Sequence, residues 1–305
     1  MGAVWGGFAD EPELIHQREN IVYRVTLDNG QTAALRLHRD GYHHTDSIHE
    51  ELQLCETLAD TGFACPWPYR TADGDFVYQT DDGKRVTLVQ WVPGAPLTMI
   101  DVNDLTLTEK FHAVGALLAD FHLTADAVAL PMPSRNGWSA DRLLGQGCPW
   151  GDMVSSCDLS DRERTLIRAS RVLAKERLAD IPAEQQGIIH GDALPDNILR
   201  YGETFYLIDY DDCGVGYRAY DLATALVCHA LEPDLAAAIQ AVQDGYLDAE
   251  GPLPKEAFVH IPMFLMLRAQ ASAAWAATRC QPDDPKCAVY KNRALDLTLK
   301  FVSVR

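Results

Sequence analysis

The stretch with the most chemical content is Ile188-Ile189-His190-Gly191-Asp192-Ala193-Leu194-Pro195-Asp196-Asn197-Ile198-Leu199, followed after a turn by Phe205-Tyr206-Leu207-Ile208-Asp209-Tyr210-Asp211-Asp212. Two short apolar runs flank Tyr201-Gly202-Glu203-Thr204, a spacing that predicts a β-hairpin. Asp192 and Asn197 precede the hairpin and Asp209 ends it, so folding it back brings three polar residues to one end of a small β patch. Phosphoryl transfer needs that set: a carboxylate at the acceptor hydroxyl, plus an Asn and a second carboxylate to hold magnesium between phosphate oxygens. Magnesium takes hard oxygen ligands and lets phosphates complete its shell. Asp196 adds a carboxylate beside this site or is a solvated loop acid. Asp211 and Asp212 could reach a second metal or a cationic substrate, and either could equally cap the following turn.

Around this stretch the chain reads as two parts. Ile21–Val25 and Thr32–Leu37 are strand-like and are joined by the turn signal Asp28-Asn29-Gly30. A helix is expected from Ser47, with Ser47 and Glu50 as a capping box, Ile48, Leu52, Cys55 and Leu58 on one face, and Gly62 as its stop. Two more strand-like runs lie near Asp75–Gln79 and Arg85–Val92. Pro93-Gly94-Ala95-Pro96 then breaks regular structure. Capping boxes at Thr106/Glu109 and Ser160/Glu163 open helices, and further helical runs fall near 218–231, 235–246, 255–279 and 287–302. Residues 130–157 are irregular and rich in Pro, Gly, Ser and Trp. The expectation is an α+β protein with a small β-rich lobe over residues 1–92 and a large, mainly helical lobe over 93–305.

The H-G-D-x-x-x-x-N run with its following I-D strand resembles the catalytic and metal-binding loops of the aminoglycoside phosphotransferase and choline kinase-like family, nearest its homoserine kinase type II-like branch. The resemblance covers almost the whole chain and implies the bilobal protein-kinase-like fold. Through it, Glu19-Asn20-Ile21-Val22 corresponds to the hairpin that covers the nucleotide, and Arg36 to the basic residue on the phosphates, with Glu51 as its ion-pair partner. Leu88-Val89-Gln90-Trp91-Val92 corresponds to the hinge whose backbone binds adenine. Asp192 would orient or deprotonate the acceptor hydroxyl, Asn197 and Asp209 would hold Mg2+, and ATP would be the donor. His190 would pack the loop. Three departures stand out: Arg36 replaces the usual Lys, which changes phosphate geometry; no G-x-G-x-x-G loop precedes Val22; and Gly191 replaces the Arg typical of kinases regulated by loop phosphorylation.

Other patterns carry less. Gly214-Val215-Gly216-Tyr217-Arg218-Ala219 fits a loose dinucleotide fingerprint but follows an acidic cluster rather than a strand. His43, His44 and His49 match no metal-ligand spacing and read as a solvated loop and helix start. Ile208-Asp209-Tyr210-Asp211 mimics an aspartate-nucleophile motif, which would leave His190 to Asn197 unexplained.

The 305 residues carry 44 acidic against 26 basic side chains, a formal charge of −18, which disfavours nucleic acid and anionic membranes as partners. No apolar stretch is long enough to span a bilayer, the amino terminus lacks a signal pattern, and the eight cysteines show no C-x-x-C spacing. A soluble cytoplasmic protein is expected. The acceptor would be a small hydroxylated metabolite: an amino acid, an amino alcohol or an aminoglycoside-like compound. Trp138 and Trp150 with nearby acids could cage a cation. Arg268, inside an apolar helical run, needs an anionic partner, either Asp221 or an acceptor anion. A protein Ser/Thr kinase and a nucleotide-binding pseudokinase remain open alternatives on the same scaffold.

Overall fold

The computed structural model describes residues 2–17, 20–101, 103–135, 137–281 and 283–303; Glu19 of the expected first hairpin lies outside them. The chain divides into two compact units. The first comprises Met1–Ile100, Thr124–Asn136 and Asp196–Asp211, and the second Asp101–Leu123, Gly137–Pro195 and Asp212–Arg305.

In the first unit, strands β1 (Glu13–Gln17), β2 (Ile21–Thr26), β3 (Thr32–Leu37), β4 (Pro68–Tyr69), β5 (Tyr78–Gln79) and β6 (Arg85–Gln90) form an antiparallel sheet of order β1-β2-β3-β6-β4, with β5 also on β6. Alternation in β2, β3 and β6 puts Val25, Leu27, Ala33, Leu35, Val86 and Leu88 into one core cluster. Helix α1 (Thr45–Asp60) buries Ile48 and Leu52 against Phe76. Its start corrects the expected capping box. His44 is the N-cap and makes no side-chain cap; Ser47 lies buried in the first turn, and both Glu50 carboxylate oxygens accept the Ser134 amide at 3.0 Å. A second small sheet runs β10-β9-β7, from β7 (Ala95–Pro96), β9 (Ile198–Tyr201) and β10 (Thr204–Leu207). The β9–β10 hairpin is the one expected from sequence, with Tyr201 opposite Thr204. Gly94 lies so close to β9 that a Cβ there would sit 2.9 Å from the Leu199 Cβ.

The second unit holds β8 (Gln186–Ile189) paired with β11 (Gly214–Tyr217), together with most of α2 (Leu107–Val128), the single turns α3 (Ala140–Leu143) and α4 (Met153–Ser156), and α5 (Asp161–Ala179), α6 (Arg218–Leu226), α7 (Leu235–Asp248), α8 (Ile261–Arg279) and α9 (Pro285–Ser303). Both expected capping boxes form: Thr106 with Glu109 and Ser160 with Glu163. Helix α8 is buried along nearly its whole length, which is why its sequence is apolar on every face. The run 255–260 is a 3-10 segment, and the α-helix begins only at Ile261, ahead of Pro262. The glycine-rich run read as a loose fingerprint is strand β11: a Cβ at Gly216 would meet Ile189 Cδ1 at 2.6 Å, so the glycine serves packing. None of the eight cysteines forms a disulfide, and among the described residues no helix is long and apolar enough to cross a membrane.

Candidate active site

The first unit assembles a charged cluster around Arg36. Strand β3 carries Arg36, opposite Val22 of β2, and α1 presents Glu51 to it. Arg36 Nη1 donates to Glu51 Oε1 at 2.8 Å and Nη2 to Asp209 Oδ1 at 3.0 Å, with Asp211 Oδ1 3.9 Å from Nη1. Burial disfavours the Arg36 charge, but the carboxylates of Glu51, Asp209 and Asp211 together outweigh it and hold the guanidinium protonated far above neutral pH. The ion pair inferred from the resemblance is therefore present in the folded chain.

Two further groups complete the cluster. Arg135 Nη1 donates to the Ser47 carbonyl at 3.2 Å and lies 3.5 Å from Glu51 Oε2; its Nη2 donates to the backbone carbonyls of Tyr210, at 3.0 Å, and of Asp211. His43 lies 3.7 Å from Asp211 Oδ1, so it is not the solvated loop residue expected. Burial depresses its imidazole to about 4. Asp211 is buried; desolvation opposes its charge, but Arg36, His43, His38 and Arg135 together hold it below the usual carboxylate range. Asn20 donates from Nδ2 to Asp211 Oδ2 at 3.4 Å and accepts the Arg39 amide at 3.0 Å. Asp211 is thus a counter-ion within this cluster. Arg135, in an irregular Pro- and Ser-rich stretch, was missed in sequence because its partners lie 75 to 88 residues away.

Asn197 and Asp209 emerge at one end of the β9–β10 hairpin. Asn197 closes the 3-10 turn Pro195–Asn197, and its carbonyl accepts the Ile208 amide at 3.0 Å, which pins the two loops together one residue before Asp209. Asp209 adopts a left-handed backbone (φ 66) rare for a non-glycine residue, and its side chain keeps 47% of its surface. The exposed Asp209 carboxylate and the Asn197 carboxamide, carried at the same end of the hairpin, are hard-oxygen donors of the kind a Mg2+- or Ca2+-type cation takes. Among the described residues no group of three or more His, Cys, Asp or Glu could hold a metal by itself, so water or phosphate oxygens would complete such a shell. Asp196 accepts a hydrogen bond from Thr98 Oγ1 at 2.5 Å, which occupies it structurally. At the hinge, the Gln90 amide is taken by the Trp67 carbonyl at 2.7 Å, while Val92 follows the strand and is buried.

The second unit positions Asp192. Asp221, fully buried on α6, accepts the His190 amide at 2.7 Å on Oδ2 and the Gly191 amide at 2.8 Å on Oδ1. His122 Nε2, which must carry a proton to meet a carboxylate, donates to Oδ2 at 3.2 Å, while its Nδ1 lies 2.8 Å from Tyr246 Oη. His190 is fully buried and its Nδ1 accepts the Asp192 amide at 3.3 Å, a loop-packing role. The structure also explains Gly191. Its φ is +79, and a Cβ there would sit 2.3 Å from Trp138 Nε1 and 2.5 Å from the Asp212 carbonyl oxygen, so no arginine fits.

Arg268 corrects the sequence reading. In the folded chain its anionic partner is Asp192, not Asp221: Nη2 donates to Asp192 Oδ1 at 2.5 Å, Nη1 to Ser272 Oγ at 2.7 Å, and the guanidinium lies 4.4 Å from the Trp150 ring centroid. The protein's own cation thus lies over the Trp150 ring. Trp138 is 2% exposed; its ring stacks on Tyr220 and its Nε1 donates to the Asp212 carbonyl at 2.9 Å. Trp150 Nε1 donates to Asp212 Oδ1 at 3.2 Å, so Asp212 holds the two indoles in place.

The profile of the Phosphotransferase enzyme family matches residues 12–255. A homoserine kinase of Allorhizobium ampelinum is 30% identical over 67% of this chain and 61% of the relative, so the chain spans less than two thirds of that protein's length. Among solved structures, a microcompartment-associated aminopropanol kinase superposes with a TM-score of 0.83 at 25% identity, over 96% of this chain and 92% of that one. An amicoumacin kinase in complex with AMP-PNP and Ca2+ superposes at 0.79 and 18% identity, over 97% and 92%. These neighbours share the kinase-like fold, and the mixed β-rich and helical organisation agrees with the sequence expectation. With its profile match running through the strands of Arg36, the H-G-D loop and the Asp209 hairpin alike, the chain belongs to the Phosphotransferase enzyme family.

Proposed function

We propose that this chain is an ATP-dependent kinase that moves the γ-phosphoryl group to the hydroxyl of a small acceptor, a hydroxylated amine or amino acid. The observation that carries the reading is Asp209: strained, half-exposed, 3.0 Å from the Glu51-held Arg36 and next to Asn197 at the hairpin end. Homoserine and aminopropanol kinases among the similar proteins support the acceptor class.

Each residue then has a defined task. Arg36 exchanges Asp209 for nucleotide phosphate oxygens while Glu51 keeps the guanidinium oriented. Val92 offers its backbone to adenine, since the Gln90 amide is already spent on Trp67. Asn197 and Asp209 hold the divalent cation, read as Mg2+, which when bound neutralises charge on the phosphates. Asp192 accepts the proton of the acceptor hydroxyl; that oxygen bonds to the γ-phosphorus as the bond to the β-bridging oxygen breaks and ADP leaves. Arg36 differs from a lysine in presenting two separately aimed Nη donors, one on Glu51 and one on Asp209, so it can keep the first while the second turns to phosphate.

The test is ADP release from Mg-ATP across homoserine, aminopropanol, ethanolamine, choline and aminoglycosides, with the product identified by 31P NMR. A phosphomonoester of one of these amines supports the reading. Mg-ATP binding with no transfer to any hydroxyl, small molecule or protein, would overturn it.

A further inference from the structure

We propose that Arg268 is a positioning residue that holds the Asp192 carboxylate in its working orientation from behind; this rests on the reading of Asp192 as the group that meets the acceptor hydroxyl. Arg268 lies on α8 with 3% of its surface exposed, among Phe264, Leu265, Met266 and Leu267. Stripping a guanidinium of water costs several kcal/mol, and apolar replacements of buried ion pairs are often as stable, so stability alone does not account for a charge there. The way it is bonded points elsewhere. Nη2 reaches Asp192 Oδ1 at 2.5 Å, Nη1 is fixed by Ser272 Oγ at 2.7 Å, and Trp150 lies against the guanidinium plane at 4.4 Å. Ser272 is itself tied to the Arg268 carbonyl at 3.0 Å, and Trp150 to Asp212 at 3.2 Å, so both supports are braced. Arg268 Nε is buried without a hydrogen-bond partner among the described residues. The side chain leaves one of its own donors unsatisfied and keeps Nη2 on Asp192, whose side chain retains 22% exposure and so stays reachable from solvent.

The contact fixes the carboxylate's plane: with Oδ1 held by Arg268, the group meets the acceptor hydroxyl in one orientation. Because the stack on Trp150 and the second bond to Ser272 fix the fork, a lysine would supply the charge without the orientation.

Two readouts test this. In steady-state turnover, Arg268→Met is expected to lower kcat by about 10²-fold with the acceptor and ATP KM within about twofold, as for a reacting group displaced by about 1 Å; Arg268→Lys should recover part of the loss. A raised acceptor KM at unchanged kcat would overturn the proposal in favour of direct acceptor binding, and unchanged kcat and KM would leave Arg268 a purely structural residue. The second readout needs no turnover. Breaking a buried pair from one side should lower the unfolding midpoint by about 6–10 °C in either Arg268→Met or Asp192→Asn, and the double variant should recover at least half of the summed loss. Strict additivity of the two single variants would refute the coupling. If the wild type phosphorylates none of the acceptors, the proposed function fails while this cycle still decides whether Arg268 holds Asp192.

Discussion

The buried carboxylate of Asp221 offers a sharp test of how the second unit shapes the H-G-D loop, to which we assign the chemistry. It accepts three donors: the His190 and Gly191 amides at 2.7 and 2.8 Å, and His122 Nε2 at 3.2 Å. In Asp221→Asn one oxygen remains and the other position becomes an NH2. If the oxygen stays on the Oδ2 side it keeps His190 and His122, and the new donor faces the Gly191 N–H; the opposite orientation loses two contacts instead of one. The first arrangement exchanges charge-assisted bonds for neutral ones and leaves one buried donor unpaired, a loss of about 3–5 kcal/mol. At about 2 °C per kcal/mol for a chain this size, the melting midpoint should fall by roughly 6–10 °C. The freed amide at 191 also releases the residue that follows it, so kcat should drop about 10²-fold, while stabilisation by Mg-ATP, which we assign to Arg36, Asn197 and Asp209, should change little. Differential scanning fluorimetry with and without nucleotide, alongside ADP release, reads all three quantities. An Asp221→Asn protein as stable and as active as wild type would refute the claim that this carboxylate holds the loop.

Other expectations follow from the same geometry. Gly191→Ala should lose about 2–5 kcal/mol, from the left-handed backbone and from a Cβ driven against Trp138 and the Asp212 carbonyl, and urea unfolding measures it. The protein should also weaken in mild acid. Burial depresses His38, aided by the Arg36 charge, to about 3, and burial depresses His43 to about 4, both below the ordinary 6.5. Groups depressed in this way support the fold fully above pH 6.5 and lose that support as pH falls toward 4, by about 1.4 kcal/mol per pH unit for each imidazole. Urea midpoints at pH 7, 6 and 5 should decline along this slope, more steeply in wild type than in His38→Asn; a flat profile would contradict the burial argument.

What could be read from sequence and what could not divides along contact range. Asn197 and Asp209 flank one hairpin encoded by neighbouring apolar runs and a Gly-Glu turn, so local spacing alone brings them to the same end of it. The boxes at Thr106 and Ser160 form, each Glu bonding back to the residue three before it. The same pattern at Ser47 fails because Glu50 meets the Ser134 amide, contributed by a segment 84 residues away. Arg135, His43 and the Asp192–Arg268 pair are likewise long-range, and periodicity within a helix or loop carries no information about them. Strand β1 escaped notice because all five of its residues are exposed, which removes the alternation that marks a half-buried strand. Strand β11 did so because two of its four residues are glycine, chosen for close packing over β propensity. In both cases pairing partners, not intrinsic preference, make the strand.

The central claim is that Asp192 takes the acceptor's proton in an ATP-dependent transfer to a small hydroxylated amine or amino acid. Its most direct test is single-turnover phosphorylation of the acceptor found in the panel, in wild type and Asp192→Asn, with Mg-ATP affinity measured in parallel. Loss of a positioned general base predicts a rate about 10²–10⁴-fold lower at unchanged nucleotide affinity. Transfer at the wild-type rate in Asp192→Asn would contradict the account.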